Sequence, residues 1–226
     1  MLARAKDLGF TLYGGTAVAL RLGHRASVDF DFFTERVLDK RATCEAMPVL
    51  QSAEILQESA GTLVLSVSSP GMQAPVKVSF FSGIDFGRFG EPELTEDGVL
   101  RVASLDDLLG TKLKTILDRV ELKDYLDIAA MVNAGVDVAR GLAIARGLFN
   151  LNPETSLKAM AYHKDLPRMP AKVRKVLIRT ASGITAIPDV TLLSKRLTED
   201  IELPPAERSP RRRTTPASPT RPPRPR

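Results

Sequence analysis

The hydrophobic period of this chain changes once, near residue 103, and that change limits the folds open to it. Before it, apolar residues fall in short runs broken by glycine, proline and serine. Alternation predicts strands over 10–13, 28–33, 54–57, 62–68, 75–81 and 99–102. Short helices are expected over 16–22 and 38–46, and 84–98 reads as a loop. After the change, apolar residues recur every three or four positions. Helices are expected over 104–119, 121–134, 138–149, 153–162 and 171–187. Ser104 followed by Asp107 is a variant capping box, and Pro153 suits a first helical turn after Asn152. The reading is α+β: a small mixed sheet with flanking helices over 1–103, a helical C-terminal part over 104–200, and a tail over 201–226.

Charge separates the tail from the rest. The 226 residues carry a net charge of +5. Residues 208–226, RSPRRRTTPASPTRPPRPR, hold seven arginines, six prolines and no acid, which leaves −2 on residues 1–207. A segment with no large apolar side chain cannot offset its ordering entropy, so the tail is expected to be disordered. It reads either as an electrostatic arm for RNA or DNA or as a solvated appendage. No apolar run approaches the roughly 20 residues of a membrane-spanning helix, and the N-terminus MLARAKDLGF lacks a signal-peptide core. A cytoplasmic protein without a membrane partner is expected. One cysteine, Cys44, and two histidines, His24 and His163, exclude a disulfide framework and a cysteine-rich zinc site. Cys44 is expected as a small buried side chain, and His24 as a packing or capping residue. Any metal must be a hard cation held by carboxylates.

Two segments carry that chemistry. In VDFDFF (28–33), alternation puts Val28, Phe30 and Phe32 on one face and Asp29 and Asp31 on the other, about 6.6 Å apart along the strand. Two carboxylates at that spacing, once partly buried, call for a cation, and magnesium is the economical one. A half-exposed strand whose polar face meets only water reads in the same way. Gly14-Gly15 stands where strand should turn into helix. Glycines there let backbone approach a ligand, and the helix N-terminus suits a phosphate, with the Thr16 hydroxyl beside it. An ordinary tight turn has the same sequence.

The first two C-terminal helices add polar residues at apolar positions. Leu105, Leu108, Leu109, Leu113 and Ile116 form a stripe, and Lys112 falls in its middle while Lys114 points away. A lysine there either faces an anion or snorkels to water. In the next helix Asp124 and Asp127 share a face with Ile128 and Met131. They are either part of a partly buried polar site or exposed acids balancing Lys123 and Arg119.

Thirteen residues separate Gly15 from Asp29. Hydrophobic-Gly-Gly, a spacer of that length and Asp-hydrophobic-Asp-hydrophobic resemble the signature of the polymerase-β-like nucleotidyltransferase superfamily. The longer stretch LYGGTAVALRLGHRASVDFDFF resembles the AbiEii/AbiGii nucleotidyltransferase family, the toxin half of type IV toxin–antitoxin systems. GTKLKTILDRVELKDYLDIAAM is similar to that family's second block, and the likeness extends over roughly residues 8–186.

The resemblance implies a magnesium-dependent enzyme that moves NMP from an NTP to an acceptor hydroxyl. It implies Asp29 and Asp31 as metal ligands, Lys112 and Asp124 as the catalytic lysine and aspartate, and Asp127 as the last acid of the block. Asp124 is then a base or an orienting group. Gly14, Gly15, Thr16, Arg25, Ser27, Lys112 and Asp127 are expected around the nucleotide. The acceptor expected is RNA, with tRNA 3′ ends as precedent, and a cognate antitoxin opposes the toxin without having to bind it. A small-molecule or protein acceptor, or a catalytically weak nucleotide-binding protein, are the alternatives. Two departures stand out. Superfamily members often carry a third carboxylate on a later strand, where this chain has Ser79. The chain also starts only a few residues before its first strand, where family members usually have another helix.

Overall fold

A computed structural model describes residues 2, 4–162 and 164–198. The tail expected to be disordered, over 201–226, and His163 lie outside the described residues. Seven strands form one mixed sheet, in the order β3-β4-β5-β2-β1-β7-β6. They are β1 (Thr11–Tyr13), β2 (Phe30–Phe33), β3 (Glu54–Ser59), β4 (Thr62–Val67), β5 (Val76–Phe81), β6 (Glu93–Leu94) and β7 (Arg101–Val102). The helices are α1 (Gly14–Leu22), α2 (Lys40–Ala46), α3 (Leu105–Asp118), α4 (Leu122–Asn133), α5 (Val138–Phe149), α6 (Pro153–Ala161) and α7 (Ala171–Gly183). The sheet therefore precedes the run of long helices, as the period change requires, and the expected 103/104 boundary falls between β7 and α3.

Register gives the sheet two unlike faces. β1 runs antiparallel to β2, with Leu12 opposite Phe32 and Tyr13 opposite Asp31. β2 runs parallel to β5, with Asp31 opposite Ser79 and Phe32 opposite Phe80. Leu12, Phe32, Phe80 and Leu63 thus share one face and are almost wholly buried. The Phe32 and Phe80 rings stack 5.4 Å apart, with Phe10 edge-on to Phe80 at 5.0 Å. The other face carries Tyr13, Asp31, Phe33, Ser79 and Val64. Tyr13 stacks on Phe33 at 4.9 Å, Phe86 packs on both, and Phe149 of α5 packs on Phe86. This aromatic chain ties the helices to part of that face and leaves the Asp31–Ser79 end open.

The differences from expectation are local. β2 starts at Phe30, so Asp29 ends a loop and Val28 is 59% exposed instead of facing the core. α1 starts at Gly14 instead of Thr16, because the glycines make the turn and the first helical residues at once. Within the expected loop over 84–98, Glu93 and Leu94 form β6, a two-residue edge strand too short for periodicity to reveal. Cys44 is half-buried and packs against the core rim.

The capping box at the start of α3 forms and does more than cap. The Ser104 hydroxyl accepts from the Asp107 amide and donates to its carboxylate at 2.7 Å. The same carboxylate accepts from the amides of Phe89 (2.8 Å) and Gly90 (3.0 Å), which pins the β5–β6 connection to α3. Burial raises the Asp107 pKa, and these three donors offset only part of that rise. Asp107→Ala leaves two amides without their acceptor. It is expected to cost about 3 kcal/mol and to lower Tm by roughly 10 °C at this chain length, read by thermal unfolding. An unchanged Tm would show that the connection is held by something else.

Candidate active site

The β1–α1 turn is built so that only glycine fits. Gly14 has φ 74°, and a Cβ there would sit 2.6 Å from the Asp31 carboxylate. A Cβ on Gly15 would sit 2.4 Å from the Arg25 guanidinium. α1 begins here with Tyr13 as N-cap, no capping side chain and no acid in its first turn. Its first N–H groups and the positive end of its dipole are left for an anion. Both glycines line a cleft of about 610 Å³ between the open sheet face and α3.

Asp29 and Asp31 line the same cleft. Asp31 stands on β2 between Tyr13 and Ser79, and Asp29 ends the loop before it. Thr16, expected beside a phosphate, is buried and turned elsewhere. Its hydroxyl hydrogen-bonds the Ser27 hydroxyl (2.9 Å) and the Asp29 carbonyl, so α1 holds the 27–29 loop in place. Ser79 is buried in the cleft floor, and Lys77, two residues earlier on the same face, has its ammonium 3.9 Å from Asp29. Among the described residues no three carboxylate, histidine or cysteine side chains gather around one point. Two carboxylates with a hydroxyl nearby are an all-oxygen donor set. That suits a magnesium ion that keeps several waters and takes further ligands from a bound phosphate, and it does not suit a protein-enclosed metal.

Above the carboxylates lies a buried ionic network. Lys112, 5% exposed, projects from α3 between two fully buried acids of α4, at 2.7 Å from Asp124 and 2.7 Å from Asp127. Arg119 reaches Asp124 at 3.0 Å. Arg25 grips Asp127 with two nitrogens, at 2.6 and 2.9 Å, and His24 Nε2 lies 2.8 Å from the same carboxylate. Burial alone would push the Asp127 carboxyl up, but Arg25, Lys112 and His24 together hold it below its ordinary value.

The structure thus gathers Gly14, Gly15, Arg25, Ser27, Asp29, Asp31 and Lys112 around one cleft, while Thr16, Asp124 and Asp127 stand behind it. His24, Arg119, Lys77 and Lys123 were not expected there. The last three line the cleft, and His24 anchors its wall. Nothing in a single sequence distinguishes these cations from solvated ones.

The Asp127 carboxylate stabilises the fold fully above the ordinary aspartate pKa of about 3.9. That contribution is lost as the pH falls through its lowered folded value. Asp127→Asn is expected to cost about 3–5 kcal/mol near pH 7. The gap from the parent should narrow below pH 4, as read by urea unfolding across pH. A pH-independent gap would mean that the acid is not held ionised in the fold.

Comparison with known proteins agrees with this geometry. An uncharacterized protein of Aquifex aeolicus, aq_aa25, is 28% identical over 160 residues, covering 69% of this chain and 74% of its own length. The crystal structure of JHP933 from Helicobacter pylori superposes with a TM-score of 0.55 at 16% identity, over 80% of this chain and 85% of that one. A provisionally assigned nucleotidyltransferase from H. pylori gives 0.56 at 17% identity, over 80% and 88%. At those identities the structures speak for the fold alone. The family model described as "Nucleotidyl transferase AbiEii toxin, Type IV TA system" matches residues 1–200. With that match spanning most of its length, this chain belongs to the AbiEii nucleotidyltransferase toxin family.

Proposed function

We propose that this nucleotidyltransferase is magnesium-dependent, that it transfers NMP from an NTP to a hydroxyl of RNA, and that it acts as a toxin opposed by a cognate antitoxin. The observation that carries the proposal is the placement of Asp29 and Asp31 opposite an uncapped helix N-terminus and a buried, ion-paired lysine. Five cations line the cleft (Arg25, Lys77, Lys112, Arg119 and Lys123) against two carboxylates, Asp29 and Asp31. Residues 1–207 are net acidic, so this local excess of positive charge is a property of the cleft. It matches a triphosphate accompanied by one divalent ion.

The roles follow from position. Asp29 and Asp31 would hold magnesium, which when bound supplies charge neutralisation at the α-phosphate and the leaving pyrophosphate. The first N–H groups of α1, at Gly14 and Gly15, receive phosphate oxygens. Ser27 lies on the same rim. Lys112 presents its ammonium to the charge that develops as the bond between the α-phosphorus and the pyrophosphate oxygen breaks. The acceptor oxygen forms the new bond to that phosphorus, and its proton passes to water. Asp124 is assigned the orienting role. Lys112 and Arg119 already occupy its carboxylate, which makes it a poor proton acceptor and a good anchor. Asp127 and Arg25 are likewise positioning residues, fixing Lys112 and the loop over the glycine turn.

The test is a labelling reaction with each α-labelled NTP, magnesium and total cellular RNA, beside an Asp29→Ala, Asp31→Ala double variant. Label is expected in an RNA band with the parent only, and the variant should lose at least about 1,000-fold in rate, as the removal of a charge-stabilising centre does. Label in protein or a small molecule would move the acceptor. NTP binding without any product would make this a nucleotide-binding protein. Deleting residues 208–226 should weaken RNA binding and flatten its salt dependence, and an unchanged slope would remove the arginine tail from RNA recognition.

A further inference from the structure

The positive charge of the C-terminal helices is gathered in one stretch. Between residues 158 and 179 stand seven cations, Lys158, Lys164, Arg168, Lys172, Arg174, Lys175 and Arg179, with Asp165 the only acid. All seven are exposed. Elsewhere cations mostly find carboxylates: Arg21 takes Glu93, Lys40 takes Glu58, Lys114 takes Asp118 and Arg140 takes Asp106. None of these seven has an ion-pair partner among the described residues.

α7 concentrates the pattern. Its inward face is apolar, with Leu177 buried and Val173 and Val176 half-buried where it packs on α4 and α6. At 100° per residue the outward half holds Arg174, Lys175, Arg179 and Lys172, with no acid anywhere in the helix. Four like charges on one short surface repel one another, and a helix gains nothing from them in isolation. A polyanion removes that repulsion and is the partner such a face fits.

We propose that the outer face of α7 binds the phosphate backbone of the RNA acceptor, a reading that rests on the RNA specificity proposed above. Two observations favour RNA over an anionic membrane. The apolar side of α7 is spent on α4 and α6, so only Ile178 is left to enter a bilayer. And α7 packs on α4, whose first turn carries Lys123 in the cleft wall, so one helix joins the basic face to the reaction site. The face positions the chain without reading its sequence, since backbone contacts carry no base information.

The test is fluorescence anisotropy of the full chain with fluorescein-labelled bulk tRNA, titrated at several salt concentrations. The Lys172→Ala, Lys175→Ala, Arg179→Ala variant is expected to bind roughly 10- to 100-fold more weakly at 0.1 M salt. Its slope of log K against log salt should be shallower by about 2–3. Exchanging the same positions for the other cation (K172R, K175R, R179K) should keep both values, and all variants should bind NTP and magnesium like the parent by calorimetry. An alanine variant with unchanged affinity and slope overturns the proposal, as does a parent that does not bind tRNA. So does a variant defect confined to phosphatidylserine vesicles, which would make α7 a membrane face. A parent that binds tRNA through α7 yet labels no RNA would defeat the RNA-transfer reading and leave the basic face standing.

Discussion

Lys112 sits where a lysine has no business in an apolar stripe, and the rest of the cleft is arranged around keeping it there. An ammonium 5% exposed is costly to desolvate, and the cost is met by two carboxylates of α4 at 2.7 Å each. Those two acids are fully buried and would be as costly alone. Arg25 and His24 from the 23–29 loop complete one, and Arg119 beyond the end of α3 completes the other. Three permanent cations thus surround two carboxylates, which leaves an uncompensated positive charge facing the cleft. Such a network need not add net stability, since replacing buried ion pairs by apolar side chains is often neutral or better. Its effect is geometric: it fixes α3, α4 and the loop carrying Ser27 and Asp29 against one another.

The same network decides what the glycine turn can be. Arg25 reaches Asp127 by passing 2.4 Å from where a Gly15 side chain would begin, and Asp31 approaches Gly14 almost as closely. The two glycines therefore serve packing by protein groups before any ligand arrives. Thr16 completes the arrangement from inside by hydrogen-bonding Ser27 and the Asp29 backbone. Strand, turn, helix and loop form a closed set of constraints, in which Asp29 and Asp31 face the same space without either being buried against the other.

Much of this was legible in the sequence. The change of period separated sheet from helices, Ser104 and Asp107 marked the start of α3, and the stripe of Leu105, Leu108, Leu109 and Leu113 showed that Lys112 points inward. Asp124 and Asp127 were placed on the right helix, but one sequence could not say whether that face meets water or Lys112. The answer lies in contacts between residues about a hundred positions apart, such as Arg25 with Asp127. His24 illustrates the same limit, since a lone histidine in a loop carries no mark of its buried partner. The short β6 and the late start of β2 were missed because two-residue strands and strand ends depend on a neighbour's hydrogen bonds.

Charge gives the clearest case of whole-chain arithmetic concealing local physics. Residues 1–207 sum to −2, which on its own argues against a polyanionic partner. The fold sorts those charges. Acids such as Glu93, Glu96 and Asp97 stand beside the β6–β7 edge, while Arg25, Lys77, Lys112, Arg119 and Lys123 converge on the cleft. The unpaired cations of 158–179 are collected beyond α4. At physiological ionic strength fields decay over about 8 Å, so an approaching phosphate responds to the patch before it and hardly at all to acids on another side. A slightly acidic body is therefore compatible with a strongly anion-seeking site, and the quantity that matters for a nucleotide or a nucleic acid is the charge within one screening length of its path.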